Sequence, residues 1–530
     1  MGEPPAPGVS FRPTVGDALQ HAVAHWPDHD FVVTPERRMT YAQAEEESGR
    51  LARRMLAAGM GKGTRVGLLF PYGQDWVVAW LAASRIGALV MPLATTYRPA
   101  EIRKVLRIGD IDTLLTARMV LGRDMQDMLE AAVPGLADAT GQRLFLVGAP
   151  SLRAVWLTGT SLPSGGDAAW ATPFDLDADT DPDIDLGVTD ELLRAVEAEV
   201  VPADLAQVTY TSGSSADPKG VVHTHGTVVR ATTALGALQT ADATPARVFC
   251  AFPFFWIGGT LVLGAALQSG ATVLVTERFD PNAALDLIEA AQATHVLGWP
   301  TLLQAMRDHP SFAGRTLPVI PGLTVGPADV ALVGGPVPGI PAHRGMSETV
   351  GNIGSVGYRV VDPDTGEDVP DGDEGELWVR GYGLMHGYYK QERGDVFDAD
   401  GWFHTGDRVF LHDGRAWFVG RTTEMVKSRG ANVSPREVEL FLEEEFDEVL
   451  YAFVFGMAHP EFGEQVAAVL VPARGRTLDP DDIARRAREQ ISSYKVPTRI
   501  DVWDESDVPW LGSGKPDKRA IRERLEEPGR

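Results

Sequence analysis

Cysteine is almost absent from the sequence, because Cys250 is the one such residue among 530. A single cysteine excludes an intrachain disulfide framework and every metal site that is built from several thiolates. Cys250 lies in the apolar run 248–252, so we expect a small buried side chain and not a reactive thiol. His223 and His225 have a weak metal-like spacing, but no third ligand is close in sequence, and we assign no zinc.

Positive charge is also scarce. The chain has 48 Lys and Arg residues against 73 Asp and Glu residues, which gives a formal net charge of −25. Nucleic-acid backbones and anionic lipid surfaces are bound by basic faces, so this balance argues against both classes of partner. A local basic groove for a small anion remains compatible with it.

Long apolar runs are missing as well. The most apolar windows, 77–94 and 259–275, are interrupted by polar residues, and a membrane-spanning helix needs about 20 predominantly apolar residues. The first eight residues, MGEPPAPG, contain neither a basic region nor an apolar stretch, unlike a secretory signal. We therefore expect a cytoplasmic protein that has no membrane span.

Short apolar runs do occur, and they alternate with helical patterns through the first two thirds of the chain. Runs such as 66–70, 113–116 and 207–211 predict buried strands, and strands separated by helices predict a parallel, doubly wound α/β sheet. The run 143–148 predicts a further strand. The acidic segment 160–190, which is rich in Gly and Pro, predicts a surface excursion.

The C-terminal third has a different texture. Short strands are broken by turn signals at 364–366 and 412–414, which predict a β-rich subdomain. We therefore predict an α/β protein with two domains. Residues 1–421 form a large N-terminal body with doubly wound sheets and the β-rich subdomain, and residues 422–530 form a small, mobile α+β lid.

The strongest local motif is YTSGSSADPKG, residues 210–220. It follows a predicted buried strand, and Gly213 allows the backbone to adopt a positive φ and to approach a ligand closely. Free amides, hydroxyls and Lys219 together predict an anion cradle. The pattern GxxxxGK[ST] occurs nowhere, so this is not a Walker A loop. A solvated turn is the simpler alternative, but it does not explain why the loop directly follows an apolar strand.

This loop resembles the phosphate-binding loop of the adenylate-forming (ANL) superfamily, which includes acyl-CoA synthetases, adenylation domains of peptide synthetases, and luciferases. Other segments resemble the family's motifs in the family's order. These segments are FPFFWIGG (252–259), LVGGP (332–336), RGMSE (344–348), GWFHTGD (401–407), GR (420–421), KSRGAN (427–432) and GSGK (512–515). An ordered set of this size is far more specific than a single glycine-rich loop.

The resemblance implies a two-step reaction. A carboxylate attacks the α-phosphorus of ATP to give an acyl-adenylate (acyl-AMP) and pyrophosphate, and the thiol of coenzyme A (CoA) then takes the acyl group. Two anions must meet in the first step, so positive charge and Mg²⁺ are required. By resemblance, Lys515 bridges the carboxylate and the α-phosphate, Glu348 holds Mg²⁺, and Ser347 reaches the phosphate.

The resemblance also implies the binding residues. Those for the nucleotide are Thr211, Ser212, Gly213, Ser214, Ser215, Lys219, Gly334, Gly335, Pro336, Arg344, Gly345, Met346, Asp407 and Arg421. Those for the acyl pocket are Phe255, Trp256 and Gly258, and those for CoA are Lys427, Arg429 and Gly430. A carboxylate only accepts hydrogen bonds, so Asp407 suits the two ribose hydroxyls. For Trp256, a packed core position is the alternative to a pocket wall.

Three features depart from the family's pattern. Only eight residues, 337–344, separate Pro336 from Gly345, and the two prolines among them exclude a regular helix. Arg344 stands where relatives have an aromatic residue that stacks on adenine. Bulky, apolar Trp510-Leu511 replaces a polar Arg-Thr pair in the lysine loop. All three concern the ATP-dependent step, whereas the segment around Gly430 fits the pattern.

We therefore expect an acid–CoA ligase for a hydrophobic carboxylic acid, with ATP or acyl-AMP, Mg²⁺ and CoA as its reactants and metal. The departures leave open a ligase that only forms the thioester from a preformed acyl-adenylate, supplied by a partner adenylating enzyme. An enzyme that loads a carrier protein, a degenerate adenylate-binding protein, and a homodimer also stay open. The residues 250–260 contain no acidic side chain to hold an ammonium group, which argues against amino acids as substrates.

Overall fold

Apolar runs form the central strands of two sheets, and helices cover those sheets. The computed structural model describes residues 9–526 except 142, 159–167, 175, 177–186, 212–217, 234–243, 299, 321–322, 326–355, 413–414, 422–424, 429–430, 460–462, 492–494 and 512–515. Two compact units divide the chain. The first comprises Met1–Leu332, Ile353–Val356 and Gly381–Val396, and the second comprises Val333–Asn352, Gly357–Arg380 and Phe397–Arg530.

Ten helices are described in the first unit. They are α1 Val15–His25, α2 Tyr41–Ala57, α3 Gln74–Arg85, α4 Pro99–Ile108, α5 Met125–Ala132, α6 Asp190–Ala198, α7 His225–Thr233, α8 Ile257–Ser269, α9 Pro281–Ala290 and α10 Pro300–Arg307. Local signals set several of their starts. Thr40 and Gln43 form a capping box at α2, and α4 and α9 begin at prolines, whose missing N–H costs nothing there.

Fifteen strands are described in the same unit. They are β1 Asp30–Val33, β2 Arg38–Thr40, β3 Arg65–Leu69, β4 Leu89–Pro92, β5 Thr113–Thr116, β6 Met119–Val120, β7 Arg123–Asp124, β8 Ala154–Leu157, β9 Ala171–Pro173, β10 Leu205–Thr211, β11 Lys219–Thr224, β12 Arg247–Cys250, β13 Thr272–Leu274, β14 His295–Leu297 and β17 Gly387–Tyr388. β6 and β7 form a small hairpin.

An eight-stranded sheet has the order β17-β11-β10-β4-β3-β5-β8-β9. The strands from β10 to β9 are parallel, as predicted, whereas β11 and β17 are antiparallel additions at one edge. A second sheet, β14-β12-β13-β1-β2, is parallel except for β2. β4 and β5 are buried along their whole length, because helices cover both faces of a parallel sheet.

Two predictions in this unit are wrong. Residues 143–148 form no strand, because Leu144 is buried while Phe145 and Val147 are exposed and a turn follows. The strand lies at β8 instead. The segment 160–190 is also more than a surface excursion, since its described part includes β9 and buries Trp170. Cys250 is buried, as predicted.

The second unit contains two further sheets. β15 Val356–Val361, β16 Glu374–Gly381, β18 Phe403–His412 and β19 Arg415–Arg421 form a four-stranded sheet. The remaining elements are β20 Val426–Ser428, β21 Ala431–Val433, α11 Pro435–Glu445, β22 Val449–His459, β23 Gly463–Pro472, α12 Pro480–Arg488, β24 Arg499–Val502 and α13 Lys518–Glu526. Their strands form a five-stranded sheet in which β22, β20 and β24 pair with β23.

The elements after residue 425 have their own hydrophobic cores on the two faces of the β22–β23 sheet. The predicted domain boundary between residues 421 and 422 stays a prediction, as does the predicted mobility of the lid. None of the helices in the described part of the chain combines the length and the apolar character that crossing a membrane requires.

Candidate active site

The predicted anion-binding loop connects two hydrogen-bonded strands. β10 ends at Thr211 and β11 begins at Lys219, and these two residues are cross-strand partners. The loop 212–217 itself lies outside the described residues. Thr211 and Lys219 therefore mark the two ends of the loop, and antiparallel pairing brings them to neighbouring positions at one end of the sheet.

Close packing surrounds the second strand of this hairpin. A Cβ at Gly220 would lie 2.8 Å from Val208 Cγ1 and 3.1 Å from Tyr389 Cβ, so a side chain there would force its neighbours to shift. The Gly220 carbonyl accepts a 2.7 Å hydrogen bond from the Tyr389 amide. The Lys219 ammonium lies 5.1 Å from the centre of the Tyr388 ring, at a distance where cation–π attraction acts.

A buried glutamine links this hairpin to helix α8. Gln207, on β10, donates from Nε2 to Thr209 Oγ1 at 3.0 Å and to Thr260 Oγ1 at 3.1 Å. Its Oε1 has no hydrogen-bond partner among the described residues. Sequence reasoning missed Gln207. A polar residue inside an apolar strand was the available signal, but its partner Thr260 is 53 residues away.

Two histidines follow the loop in sequence, His223 on β11 and His225 at the start of α7. Burial lowers the pKa of His223 and of His225 to about 4, so both rings are neutral near pH 7. The Nδ1 atom of His225 accepts a hydrogen bond from the Val15 amide at 3.3 Å. Burial and this hydrogen bond fit a structural role for the two histidines. Within the described ranges, no three His, Cys, Asp or Glu side chains are grouped to hold a metal ion.

The predicted acyl-pocket residues lie where α8 begins. Phe255 is buried, and its ring centre is 5.9 Å from that of Tyr72. Phe254 lies 5.3 Å from Trp76. Trp256 is half-buried at the N-terminal cap of α8, with its ring 6.4 Å from that of Phe255. This cluster is aromatic and uncharged.

Glycine at the start of α8 permits that packing. A Cβ at Gly258 would lie 3.3 Å from Phe252 Cγ, and one at Gly259 would lie 2.4 Å from the Pro253 carbonyl oxygen. The first contact is tight and the second is sterically forbidden. The helix can therefore begin directly against the aromatic segment that precedes it.

The predicted ribose-binding pair is brought together in the second unit. Asp407 on β18 and Arg421 on β19 are cross-strand partners, and the Asp407 side chain is half-buried. Its amide donates to Thr405 Oγ1 at 3.0 Å. The preceding Gly406 has φ of +71° and donates its amide to Glu376 Oε1 at 3.0 Å. Glycine is favoured by that φ, and the turn fixes the backbone of Asp407.

The predicted CoA-binding segment is a hairpin. Lys427 on β20 pairs with Asn432 on β21, and residues 429–430 connect the two strands. The remaining site residues lie outside the described residues. They are Ser212, Gly213, Ser214, Ser215, Gly334, Gly335, Pro336, Arg344, Gly345, Met346, Ser347, Glu348, Arg429, Gly430 and Lys515.

Comparison with known families settles the kinship of this chain. The AMP-binding enzyme family matches residues 19–352 and 322–389, and the AMP-binding enzyme C-terminal domain matches residues 437–515. The chain belongs to the AMP-binding enzyme family. The predicted membership of the adenylate-forming superfamily, in its acyl-CoA ligase branch, is thereby confirmed, and so is the prediction of an enzyme of the acid–thiol ligase type.

Individual relatives agree with this membership. A feruloyl-CoA synthase of Amycolatopsis is 30% identical over 520 residues, 92% of this chain and 94% of that protein. The mitochondrial medium-chain acyl-CoA ligase ACSF2 of Mus musculus is 26% identical over 559 residues, 97% of this chain and 88% of that protein. The crystal structure of ATP-bound MatB from Rhodopseudomonas palustris has a TM-score of 0.72 at 22% identity, covering 97% of this chain and 99% of that one. That likeness confirms the α/β fold.

Proposed function

We propose that this ligase activates a hydrophobic carboxylic acid as its acyl-adenylate and transfers the acyl group to CoA. The observation that carries the choice of acid is the uncharged aromatic cluster at the start of α8. Phe255 is buried against Tyr72, and Trp256 is half-buried beside it. Apolar, aromatic walls favour an apolar ligand, with a few polar groups to fix its orientation.

The same segment argues against amino-acid substrates. A free amino acid carries an ammonium group, and burying it without a carboxylate partner is costly. Residues 250–260 contain no acidic side chain. Loading of an amino acid onto a carrier protein is therefore the weaker alternative.

For ATP, the hairpin loop supplies the proposed phosphate contacts. Its two ends, Thr211 and Lys219, are neighbours across the strands, and the serines 212, 214 and 215 lie between them. Hydroxyls, amides and one ammonium group form a donor set suited to the β- and γ-phosphates. Gly213 would let the backbone approach the ligand. Because Gly220 has no side chain, β11 can lie close to Val208 on β10.

We assign the ribose contacts and the adenine contacts to different motifs. Asp407 would accept hydrogen bonds from the ribose hydroxyls, with Arg421 opposite it. The segments Gly334–Pro336 and Arg344–Met346 would enclose the adenine. Arg344 can stack its guanidinium plane on the base, which an aromatic residue does in relatives.

The two chemical steps need a cation at the phosphate and a path for the thiol. The substrate carboxylate oxygen attacks the α-phosphorus, and the bond to the pyrophosphate oxygen breaks. Lys515 would neutralise charge on both anions in that step. The CoA thiol then releases its proton to solvent and its sulfur attacks the acyl carbonyl carbon. The bond between that carbon and the phosphate oxygen breaks, and AMP leaves. Lys427, Arg429 and Gly430 would border the path of the pantetheine arm.

Magnesium is assigned by the chemistry of its donors. Carboxylate and phosphate oxygens are the ligands that Mg²⁺ prefers, and Glu348 is the proposed protein ligand, with Ser347 near the phosphate. When bound, the ion supplies charge neutralisation at the phosphates.

A second candidate function is thioester formation alone, from a preformed acyl-adenylate. The short segment 337–344, Arg344 and Trp510-Leu511 favour it, because all depart from the pattern of the ATP-dependent step. Trp510 is also 40% exposed, so an apolar side chain occupies the surface where relatives have a polar one. A partner adenylating enzyme would then supply the adenylate. A homodimer and a cytoplasmic location stay predictions.

One experiment separates these functions. Purified enzyme is incubated with ATP, Mg²⁺ and a panel of acids that includes ferulate and octanoate, and exchange of pyrophosphate into ATP is measured. The same acids are then supplied as synthetic adenylates together with CoA. Pyrophosphate exchange together with thioester formation supports a ligase that performs both steps. Thioester formation without exchange supports the second candidate. Adenylate binding with neither reaction supports a degenerate binding protein.

A further inference from the structure

The chain on either side of Lys515 is tied to itself. Trp510 and Pro516 form an antiparallel bridge, and the Asp517 amide donates to the Pro509 carbonyl at 2.9 Å. The residues on the two sides of the segment 511–515 are therefore hydrogen-bonded neighbours. A contact that fixes these neighbours also fixes the two ends of the segment that carries Lys515.

An ion pair with a buried carboxylate lies directly after these neighbours. Lys518 is the first residue of α13, and its Nζ lies 2.7 Å from Glu439 Oε1. Glu439 belongs to α11 and is 2% exposed, whereas Lys518 is 36% exposed. The pair joins the start of α13 to a helix that precedes it by 79 positions in sequence.

The contacts of Glu439 show that the pair is specific. The Val454 amide on β22 donates to Glu439 Oε1 at 3.0 Å, and Arg436 Nη1 lies 3.4 Å from Oε2. A buried carboxylate requires such partners. Lysine at a helix N-terminus is disfavoured by the helix dipole. The position of Lys518 is therefore explained by Glu439 and not by helix formation.

The other end of the segment has an aromatic contact. The Trp510 ring lies 5.7 Å from that of Tyr451 on β22, edge to face. β22 thus carries both contacts, since Val454 also belongs to it. Trp510 is one of the residues by which this chain departs from the family's pattern, so this contact belongs to this chain's own version of the loop.

We propose that the Lys518–Glu439 ion pair positions the segment that carries Lys515, and that it serves the ATP-dependent step alone. The inference rests on the proposed function, in which Lys515 acts when the adenylate forms and is not needed when CoA attacks. Lys518 is then a positioning residue that acts through Lys515.

The test compares three variants in the two half-reactions. Lys518→Met removes the charge at similar length, and Arg436 still faces the buried carboxylate. Lys518→Arg restores a cation. Lys495→Met is the matched control, because Lys495 Nζ pairs with Glu437 Oε1 at 2.6 Å on the same helix α11 and is remote in sequence from the loop. Each protein is assayed with the acid that the wild-type enzyme turns over fastest in the panel.

We expect Lys518→Met to lower kcat of pyrophosphate exchange at least about tenfold, because misplacing a catalytic group by about 1 Å can cost about 100-fold. The KM for ATP should be unchanged, and thioester formation from the synthetic adenylate should stay within about twofold. Lys518→Arg should recover most of the rate. Lys495→Met should leave both half-reactions unchanged.

Hydrogen exchange gives a readout that needs no substrate. The Asp517 amide should exchange its hydrogen at least about tenfold faster in Lys518→Met than in wild type. Its exchange rate in Lys495→Met should equal that of the wild type. Equal protection in Lys518→Met overturns the inference, as does an equal loss in both half-reactions. If the wild-type enzyme itself shows no exchange of pyrophosphate with any acid, the proposed ATP step fails, and the amide protection alone decides whether the pair positions the segment.

Discussion

Acidification from pH 7 to pH 5 should destabilise the first unit through two neutral histidines, His223 near the end of β11 and His225 at the start of α7. Burial lowers the pKa of His223 and His225 to about 4, whereas a histidine in an unfolded chain has a pKa of about 6.5. For His225, the charges of Asp204 and Asp17 oppose the shift, but burial outweighs them. Between pH 6.5 and pH 4 the unfolded state therefore binds protons that the native state does not bind.

The magnitude follows from proton linkage. With a folded pKa of about 4 and an unfolded pKa of about 6.5, each histidine costs almost no stability at pH 7 and about 2 kcal/mol at pH 5. Each should thus account for a loss of about 2 kcal/mol between the two pH values, and the pair for about 4 kcal/mol. The loss should level off below about pH 4, where the native rings also take up protons.

The assay is urea unfolding at pH 7 and pH 5, followed by tryptophan fluorescence, for wild type and variants. His225→Asn keeps an acceptor for the Val15 amide but cannot take up a proton in this range, and His223→Leu removes the second group. Subtracting each variant from wild type at each pH cancels the titration of all other residues. The exposed His386 provides the control variant, His386→Asn.

The difference between wild type and either single variant should change by about 2 kcal/mol from pH 7 to pH 5. The difference for His386→Asn should stay constant. A variant difference that does not depend on pH would refute the assignment of neutral, buried rings. A difference of the opposite sign would mean that the native state stabilises the protonated form.

Three further predictions concern packing and chemistry. Gly220→Ala should lower stability by about 1 to 3 kcal/mol, because its Cβ would lie 2.8 Å from Val208 Cγ1; thermal unfolding checks this, and an unchanged midpoint would contradict the packing. Phe255→Ala should cost about 3 to 5 kcal/mol and shift the preferred acid toward bulkier ones in the acid panel, whereas an unchanged preference would remove Phe255 from the pocket wall. Lys515→Ala should lower pyrophosphate exchange by about 100-fold or more and spare thioester formation from a synthetic adenylate; equal losses in both would refute its assigned role.

Elements with strong local signals could be predicted from the sequence. The helix Pro435–Glu445 begins with a serine cap and a proline, and such signals act within a few residues. The continuous burial of β4 and β5 likewise follows from their apolar runs. Residues 143–148 were wrongly predicted to form a strand because several of them are apolar. In the structure Leu144 is buried, Phe145 and Val147 are exposed, and a turn follows. The amino-acid sequence of such a short segment does not distinguish a turn from a strand.

The site residues divide in the same way, into those that the sequence predicted and those that only the fold shows. The motifs gave the identity of Asp407 and Arg421 by resemblance, but their pairing across β18 and β19 is a tertiary fact. Gln207 and Glu439 were not predicted, although each is a polar residue at a buried position. Their partners lie 53 and 79 residues away in sequence, so only the fold shows that these contacts form.

The central claim is that this chain couples ATP cleavage to the formation of an acyl-CoA from a hydrophobic acid. The most direct test supplies ATP, Mg²⁺, CoA and each acid of the panel, and measures AMP and the thioester together by mass spectrometry. We predict equal amounts of AMP and acyl-CoA, with the highest rates for apolar acids. Folded enzyme that forms neither product from any acid, and that also fails to convert the synthetic adenylates, would contradict the account.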